Sequence, residues 1–246
     1  MNRLLSLLRA APLLTITAAD TACAESHWLL GMGLYTERSS YVGQSNSPAP
    51  FPYLAYETER WHIGLDALSY QVWNSERSTL TVLAEPQFGI SDPGQNDIDQ
   101  RLERDATIDA GFEWRLQAGR WFVEANASAE LTQEHRGYQS GIAFGWDAEL
   151  GKAAFELTVQ SSWRDRRLSA YLYGIGVSEA STTLPAYSPG STWGHRVEAS
   201  IALPLTDRSL GIFQLGISHL DQAATNSPRI DSRVEPSLLI GWLWRF

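Results

Sequence analysis

The sequence predicts an all-β fold: a closed antiparallel transmembrane β-barrel of about twelve strands. Three observations predict it. Long segments alternate between apolar and polar residues, the period of a strand with one face toward hydrocarbon. The chain carries 10 Trp, 9 Tyr and 8 Phe, a load that girdles at two membrane interfaces would use. Its first 24 residues have the form of an export signal. No later stretch holds the 18 or so consecutive apolar residues of a membrane helix, and the mean hydropathy is -0.23. That average does not weigh against a barrel, in which only alternate residues meet lipid.

Residues 1–24 run from Arg3 through a Leu-rich stretch, interrupted by Arg9, to Ala22-Cys23-Ala24, an A-x-A cleavage pattern. The expected organisation is a signal peptide over 1–24 and one barrel domain over 25–246. Cleavage would remove Arg3, Arg9 and Asp20, turning the net charge of -9 into -10, together with the only cysteine, Cys23. A mature chain without cysteine is not held by disulfides. Lipidation of Cys23 is the alternative, and Asp20 just before it argues against that. The acidic balance offers no electrostatic footprint for nucleic acid.

The alternation is clearest in the terminal segment VEPSLLIGWLWRF. Val234, Pro236, Leu238, Ile240, Trp242, Trp244 and Phe246 fall on one face, and Arg233, Glu235, Ser237, Leu239, Gly241, Leu243 and Arg245 on the other. A free edge this apolar invites aggregation, so the last strand is expected to pair with the first, near His27 to Thr36, and to turn its apolar face to lipid. Similar alternation marks 104–117, 119–132 (with Phe122 the exception), 138–150, 152–163 and 192–205. These runs exceed the usual globular strand and suit a tilted bilayer crossing.

Turn chemistry separates the segments at 91–97, 187–191, 206–209 and 225–229, and residues 45–52, SNSPAPFP, read as a polar, Pro-rich loop. The resulting strands are 27–36, 51–58, 61–74, 79–90, 104–117, 119–132, 137–150, 152–164, 166–177, 191–205, 208–219 and 233–246. With both termini in the periplasm, loops 37–50, 178–190 and 220–232 face outward and the turn 206–208 inward. The long loop 91–103 then lands on the periplasmic side.

The segment YLYGIGVSEASTTLPAYSPGS resembles the MipA/OmpV family of outer-membrane proteins through Tyr171, Tyr173, Gly174, Gly176, Val177, Ser178, Glu179, Ala180, Leu184, Pro185, Ala186 and Tyr187. PYLAYETERWHIG (52–64), RDATIDAGFEW (104–114) and GWLWRF (241–246) are similar to that family's early, central and terminal segments. One departure is an extra Ile175-Gly176 pair. The resemblance implies a Gram-negative outer-membrane barrel and, as possible partners, a lytic transglycosylase and a murein polymerase, for which the protein would act as a scaffold in peptidoglycan remodelling. Other members look like surface barrels tied to osmotic or antibiotic response.

The family brings no catalytic residues, and the chain supplies no motif of its own: no catalytic, cofactor-binding or metal residue is expected, and no cofactor. Histidines 27, 62, 135, 195 and 219 show no metal spacing. His62 with Asp66, and Asp147 with Glu149, are the closest approach to acid–base pairs; a lipid- or peptide-modifying enzyme would use His62 and Asp66. The charges Arg104, Asp105, Asp109, Glu113, Arg115, Arg120, Glu124, Glu130, Glu156, Arg196, Glu198, Arg233, Glu235 and Arg245 either pair across a lumen and plug it or line an aqueous path. Two functions remain beside the enzyme: a scaffold, with the acidic segment 91–103 (Asp92, Asp97, Asp99, Glu103) as its periplasmic docking element, and a passive channel for small solutes. Outer-membrane lipid is a partner in either case.

Overall fold

A computed structural model describes residues 26–44, 48–87 and 103–246. The expected signal peptide lies outside the described residues. Twelve antiparallel strands close a barrel: β1 (His27–Glu37), β2 (Ala49–Glu57), β3 (Trp61–Gly64), β4 (Leu68–Asn74), β5 (Ser78–Gln87), β6 (Thr107–Ala118), β7 (Trp121–Glu130), β8 (Tyr138–Leu150), β9 (Ala153–Arg164), β10 (Thr192–Thr206), β11 (Ser209–Leu220) and β12 (Val234–Arg245). Closure gives every strand two neighbours over at least part of its length, the arrangement by which sheet spans hydrocarbon.

The last strand meets the first as expected. β12 pairs with β1 from Leu29 opposite Arg245 to Glu37 opposite Ser237, and the Phe246 N–H donates to the Trp28 carbonyl. The outward face is exposed and apolar, with Leu30, Met32, Ile142, Val159, Val197, Leu215, Ile217 and Ile240 among its members. In a bilayer, lipid covers that face. Aromatic pairs mark the end near the termini: Trp28 with Tyr56, Trp61 with Tyr70, Trp121 with Phe144, and Trp242 with Trp244. Tyr138 with Trp163 marks the opposite end.

The two rims differ. Turns 58–60, 75–77, 119–120, 151–152 and 207–208 lie on the rim that carries the termini, and all are short. The strand ends Glu37, Ala49, Gln87, Thr107, Glu130, Tyr138, Arg164, Thr192, Leu220 and Val234 lie on the other, joined there by longer stretches of chain. Short turns face the periplasm in such barrels and long loops face outward.

Three sequence expectations are corrected. Residues 61–74 are not one strand. The hairpin β3–β4 reverses at Leu65–Ala67, where Gly64 N–H donates to the Ala67 carbonyl. A Cβ at Gly64 would overlap the Asp66 carboxylate and the His62 ring, so glycine leaves room for these two side chains to meet. Residues 166–177 are not a strand either. Arg166–Tyr173 form helix α1, capped by Asp165, whose carboxylate accepts from the Leu168 N–H at 2.9 Å. A short helix α2 (Gln222–Thr225) follows later. The strand count survives because one segment splits while another is lost. Lastly, Pro50 and Pro52 belong to β2 rather than to a loop; a strand accepts proline where it has a free edge.

The segment 91–103 is corrected with them. Most of it lies outside the described residues, but Gln87 and Thr107, the strand ends on either side, are partners at the outer rim. The chain therefore leaves and returns there, on the face opposite the periplasm.

Candidate functional site: lumen, cap and rims

The barrel encloses a lumen of about 1760 Å³. Its charged side chains pair along the wall rather than across the space. Arg115 on β6 reaches over β7 and β8 to Glu156 on β9 at 3.1 Å, with Asp147 at 3.4 Å and Glu124 at 3.9 Å. It can do so because Phe122 lies flat beneath it, with the guanidinium carbon 3.5 Å from the ring centroid. Phe122 is the residue that breaks the outward alternation of its strand; it faces inward and is 2% exposed. Gly145 opposite leaves the space, since a Cβ there would overlap the ring. Arg196 pairs with Glu198 at 2.7 Å and donates to Ser218 and Ser237 on β11 and β12. Not all of the predicted inward charges are in the lumen: Arg120 sits exposed in a periplasmic turn and Arg233 exposed at the outer rim.

His62 and Asp66 do come together, in a chain that sequence spacing alone did not show. His27 Nε2 lies 3.1 Å from Glu57, whose other oxygen lies 3.1 Å from His62 Nδ1, and His62 Nε2 lies 3.2 Å from Asp66. Both imidazole nitrogens of His62 face carboxylates. A general base for a hydroxyl nucleophile needs one nitrogen free to take its proton, so this arrangement fixes the β2–β3 corner rather than forming a triad. Asp147 is engaged by Arg115 and Gln117. Among the described residues no three or more His, Cys, Asp or Glu side chains group as a metal site would.

The outer end carries a cap built on α1. The last carbonyls of a helix lack partners within it. Here Tyr171 O accepts from Arg104 Nε at 2.8 Å, Leu172 O from the Tyr41 hydroxyl at 3.3 Å, Tyr173 O from Ser227 Oγ at 2.6 Å, and Gly174 O from Arg104 and Arg229, each at 3.4 Å. Two guanidinium groups thus sit at the negative end of the helix dipole. Arg104 also holds Glu179 at 2.9 Å. Burial tends to raise the Glu179 carboxyl, yet hydrogen bonds from Arg104 and the Gly176 N–H hold it below the usual carboxylate range. Tyr173, Leu220, Ala224 and Ile230 form one small core under this cap and Ile175 with Leu184 another. The extra Ile175-Gly176 pair is therefore structural: Ile175 is 3% exposed and exchanges backbone hydrogen bonds with Tyr187.

The periplasmic rim shows a regularity that segment-by-segment reading missed. Each of its turns contributes one exposed basic residue, Arg60, Arg77, Arg120, Lys152 and Arg208, joined by Arg245 at the chain end, and three of the turns add an exposed acidic one, Glu59, Glu76 and Asp207. Lys152 is the only lysine in the protein.

The family model "MltA-interacting protein MipA" matches residues 30–246. Escherichia coli (strain K12) YiaT is 27% identical over 251 residues, covering 100% of this chain and 99% of that one. The MltA-interacting protein of the same strain is 22% identical, covering 97% of this chain and 98% of its own. Outer membrane protein Omp26La of Vibrio anguillarum is 21% identical over 85% of this chain and 82% of its own. Among solved structures, an outer membrane channel from Pseudomonas putida F1 aligns with 92% of this chain and 97% of its own, at 10% identity and a TM-score of 0.47.

Proposed function

This chain belongs to the MltA-interacting protein MipA family of outer-membrane β-barrels, and we propose that it is a scaffold that holds murein-remodelling enzymes, a lytic transglycosylase first among them, at the inner face of the outer membrane. The observation that carries this reading is the near full-length relative named for its interaction with MltA. The surface that suits it is the periplasmic rim, where five short turns and the chain end each present an exposed cation, beside an exposed carboxylate in three of the turns, on a protein of net charge -9. Exposed cations repeated round the rim favour encounter with acidic groups of a partner. This rim replaces segment 91–103 as the docking element. A murein polymerase is a further partner on the same reading.

Affinity capture from mildly crosslinked envelopes tests it. The wild-type barrel is expected to recover a lytic transglycosylase well above a barrel control of equal abundance. The quadruple variant Arg77→Glu, Arg120→Glu, Lys152→Glu, Arg208→Glu is expected to lose it while still inserting. Equal recovery by both barrels removes the rim from the account, and recovery by neither removes the scaffold.

The size of the lumen supports a second reading, a passive channel for small solutes. Wall-hugging ion pairs leave about 1760 Å³. Steady single-channel conductance in planar bilayers is the expected result, and a silent barrel excludes it.

A further inference from the structure

Among the described residues, the barrel wall is complete only on its periplasmic side. β2 pairs with β1 along all of Ala49–Glu57, but with β3 only at residues 55–57. β5 pairs with β6 along Ser78–Gln87, but with β4 only as far as Ala84. Between them the β3–β4 hairpin turns back at Leu65–Ala67, four residues above Trp61 in the inner aromatic girdle. At about 3.3 Å per residue and a tilt near 40° the hairpin rises roughly 10 Å, less than half of an apolar band about 25 Å tall. Above it, the described residues place no strand between β2 and β5. Tyr56, Ile63, Leu68 and Ala84 make one cross-strand row, so the two edges stand three strand spacings apart at the hairpin, about 14 Å.

Unpaired N–H groups in hydrocarbon cost several kcal/mol each, and the sequence removes them. Leu54 accepts from the Leu65 N–H and Thr58 donates to Trp61, so even-numbered residues of β2 point their backbone groups away from β1. Ser75 N–H donates to Ser78, and Ile108 accepts from Leu131 on the far side of β6, so even-numbered residues of β5 point away from β6. The positions that would aim N–H groups into the gap are therefore 50 and 52 on β2 and 86 on β5. All three are proline. The edges cannot zip together, and they offer only carbonyl acceptors. Exposed Met32, Leu54 and Leu65 flank the gap on the lipid side. Glu85, Asp66 and Asp109 line the lumen beside it.

We propose that this gap is a lateral portal between the lumen and the outer leaflet for amphiphiles that combine an apolar chain with an amine head. The chain lies among Met32, Leu54 and Leu65; the ammonium group meets carbonyl oxygens at the edges and the carboxylates behind them. The proposal does not depend on the scaffold reading, since it needs only the membrane orientation.

Photolabelling of the full barrel in lipid vesicles tests it, with a diazirine-bearing dodecylamine as the probe and peptide mapping as the readout. Adducts are expected on 50–54, 65–68 and 85–87, and roughly tenfold fewer from the matching dodecyl sulfate probe or on the variant Glu85→Gln/Asp66→Asn, the size of one lost charge-assisted hydrogen bond. Labelling spread evenly round the barrel, or equal for amine and sulfate, overturns the proposal. A spin-label pair at Leu54→Cys and Pro86→Cys reads the opening without a ligand: edges one strand spacing apart overturn it too.

Discussion

Replacing Arg104 by alanine should loosen the outer cap and leave most of the wall alone. The Arg104 guanidinium serves two carbonyls at the end of α1 and both oxygens of Glu179. Its side chain is 12% exposed and that of Glu179 23%, so solvent screens the pair only in part. A hydrogen bond to a charged group contributes about 1.5–3 kcal/mol, and a cation at a helix C-terminus about 0.3–1 kcal/mol. Arg229 remains on Gly174 and offsets some of the loss. The net cost to the cap is then about 2–3 kcal/mol, or roughly 30- to 150-fold faster amide exchange at about 1.4 kcal/mol per factor of ten. Hydrogen exchange with peptide-level readout on the inserted barrel measures this directly. Peptides over 166–180 should exchange faster by that factor, while β8–β10 stay protected. Arg104→Lys should fall between, since it keeps the charge but not the planar fork. The depressed Glu179 carboxyl adds a pH test. Its stabilisation is complete above the ordinary carboxylate pKa and is lost as pH falls through the lowered one, so acid should loosen the same peptides in wild type and change little in the variant. Exchange unchanged in 166–180, or raised equally round the barrel, would refute the keystone role of Arg104.

Three further outcomes follow from the geometry. Asp165→Ala removes the α1 cap and the acceptor for the Tyr138 N–H; a loss of about 1–2 kcal/mol, seen as lower thermal stability of the cap, is expected. Gly145→Val forces Phe122 and the stacked Arg115 to move, an overpacking cost of about 1–3 kcal/mol readable as a shifted urea midpoint in lipid vesicles. Leu215→Arg, on the lipid face midway along β11, should cost about 2–4 kcal/mol, whereas Thr158→Arg in the lumen should cost well under half of that; equal costs would mean the inward and outward faces are assigned wrongly.

Much of the barrel was legible because lipid imposes a strict period of two. The pairing of the terminal segment with His27–Thr36 followed from that period and from the danger of a bare edge. What failed was punctuation. Gly64 and Asp66 make a turn inside a segment whose alternation continues on both sides. Over 166–177, the strand assignment passed over the Asp165 cap, the Leu168–Leu172 spacing and the stop at Gly174, all of which signal a helix. These two errors cancel in the strand count but not in between. Every connection from the hairpin to α1 was assigned to the wrong side, which is why 91–103 read as periplasmic. The lumen contacts were less legible still. Arg115 and Glu156 are 41 residues apart, and only closure brings their strands onto one wall.

The hairpin also explains why the cap is so heavily bonded. On the periplasmic side twelve strands close the ring through backbone hydrogen bonds. Above Leu65–Ala67 only ten strands continue among the described residues, and β2 and β5 lose lateral support together. The groups that grip α1 come from Tyr41 in the segment leading into β2, Arg104 in the segment leading into β6, and Ser227 and Arg229 in the segment leading into β12. Two of these three segments adjoin strand ends beside the gap. Side-chain bonds to one helix end thus take over, on the outer side, the restraint that the sheet ladder supplies on the inner side. Loss of Arg104 should accordingly raise exchange at the outer ends of β5 and β6 as well as in α1, and should spare β8–β10, whose ladders are unbroken.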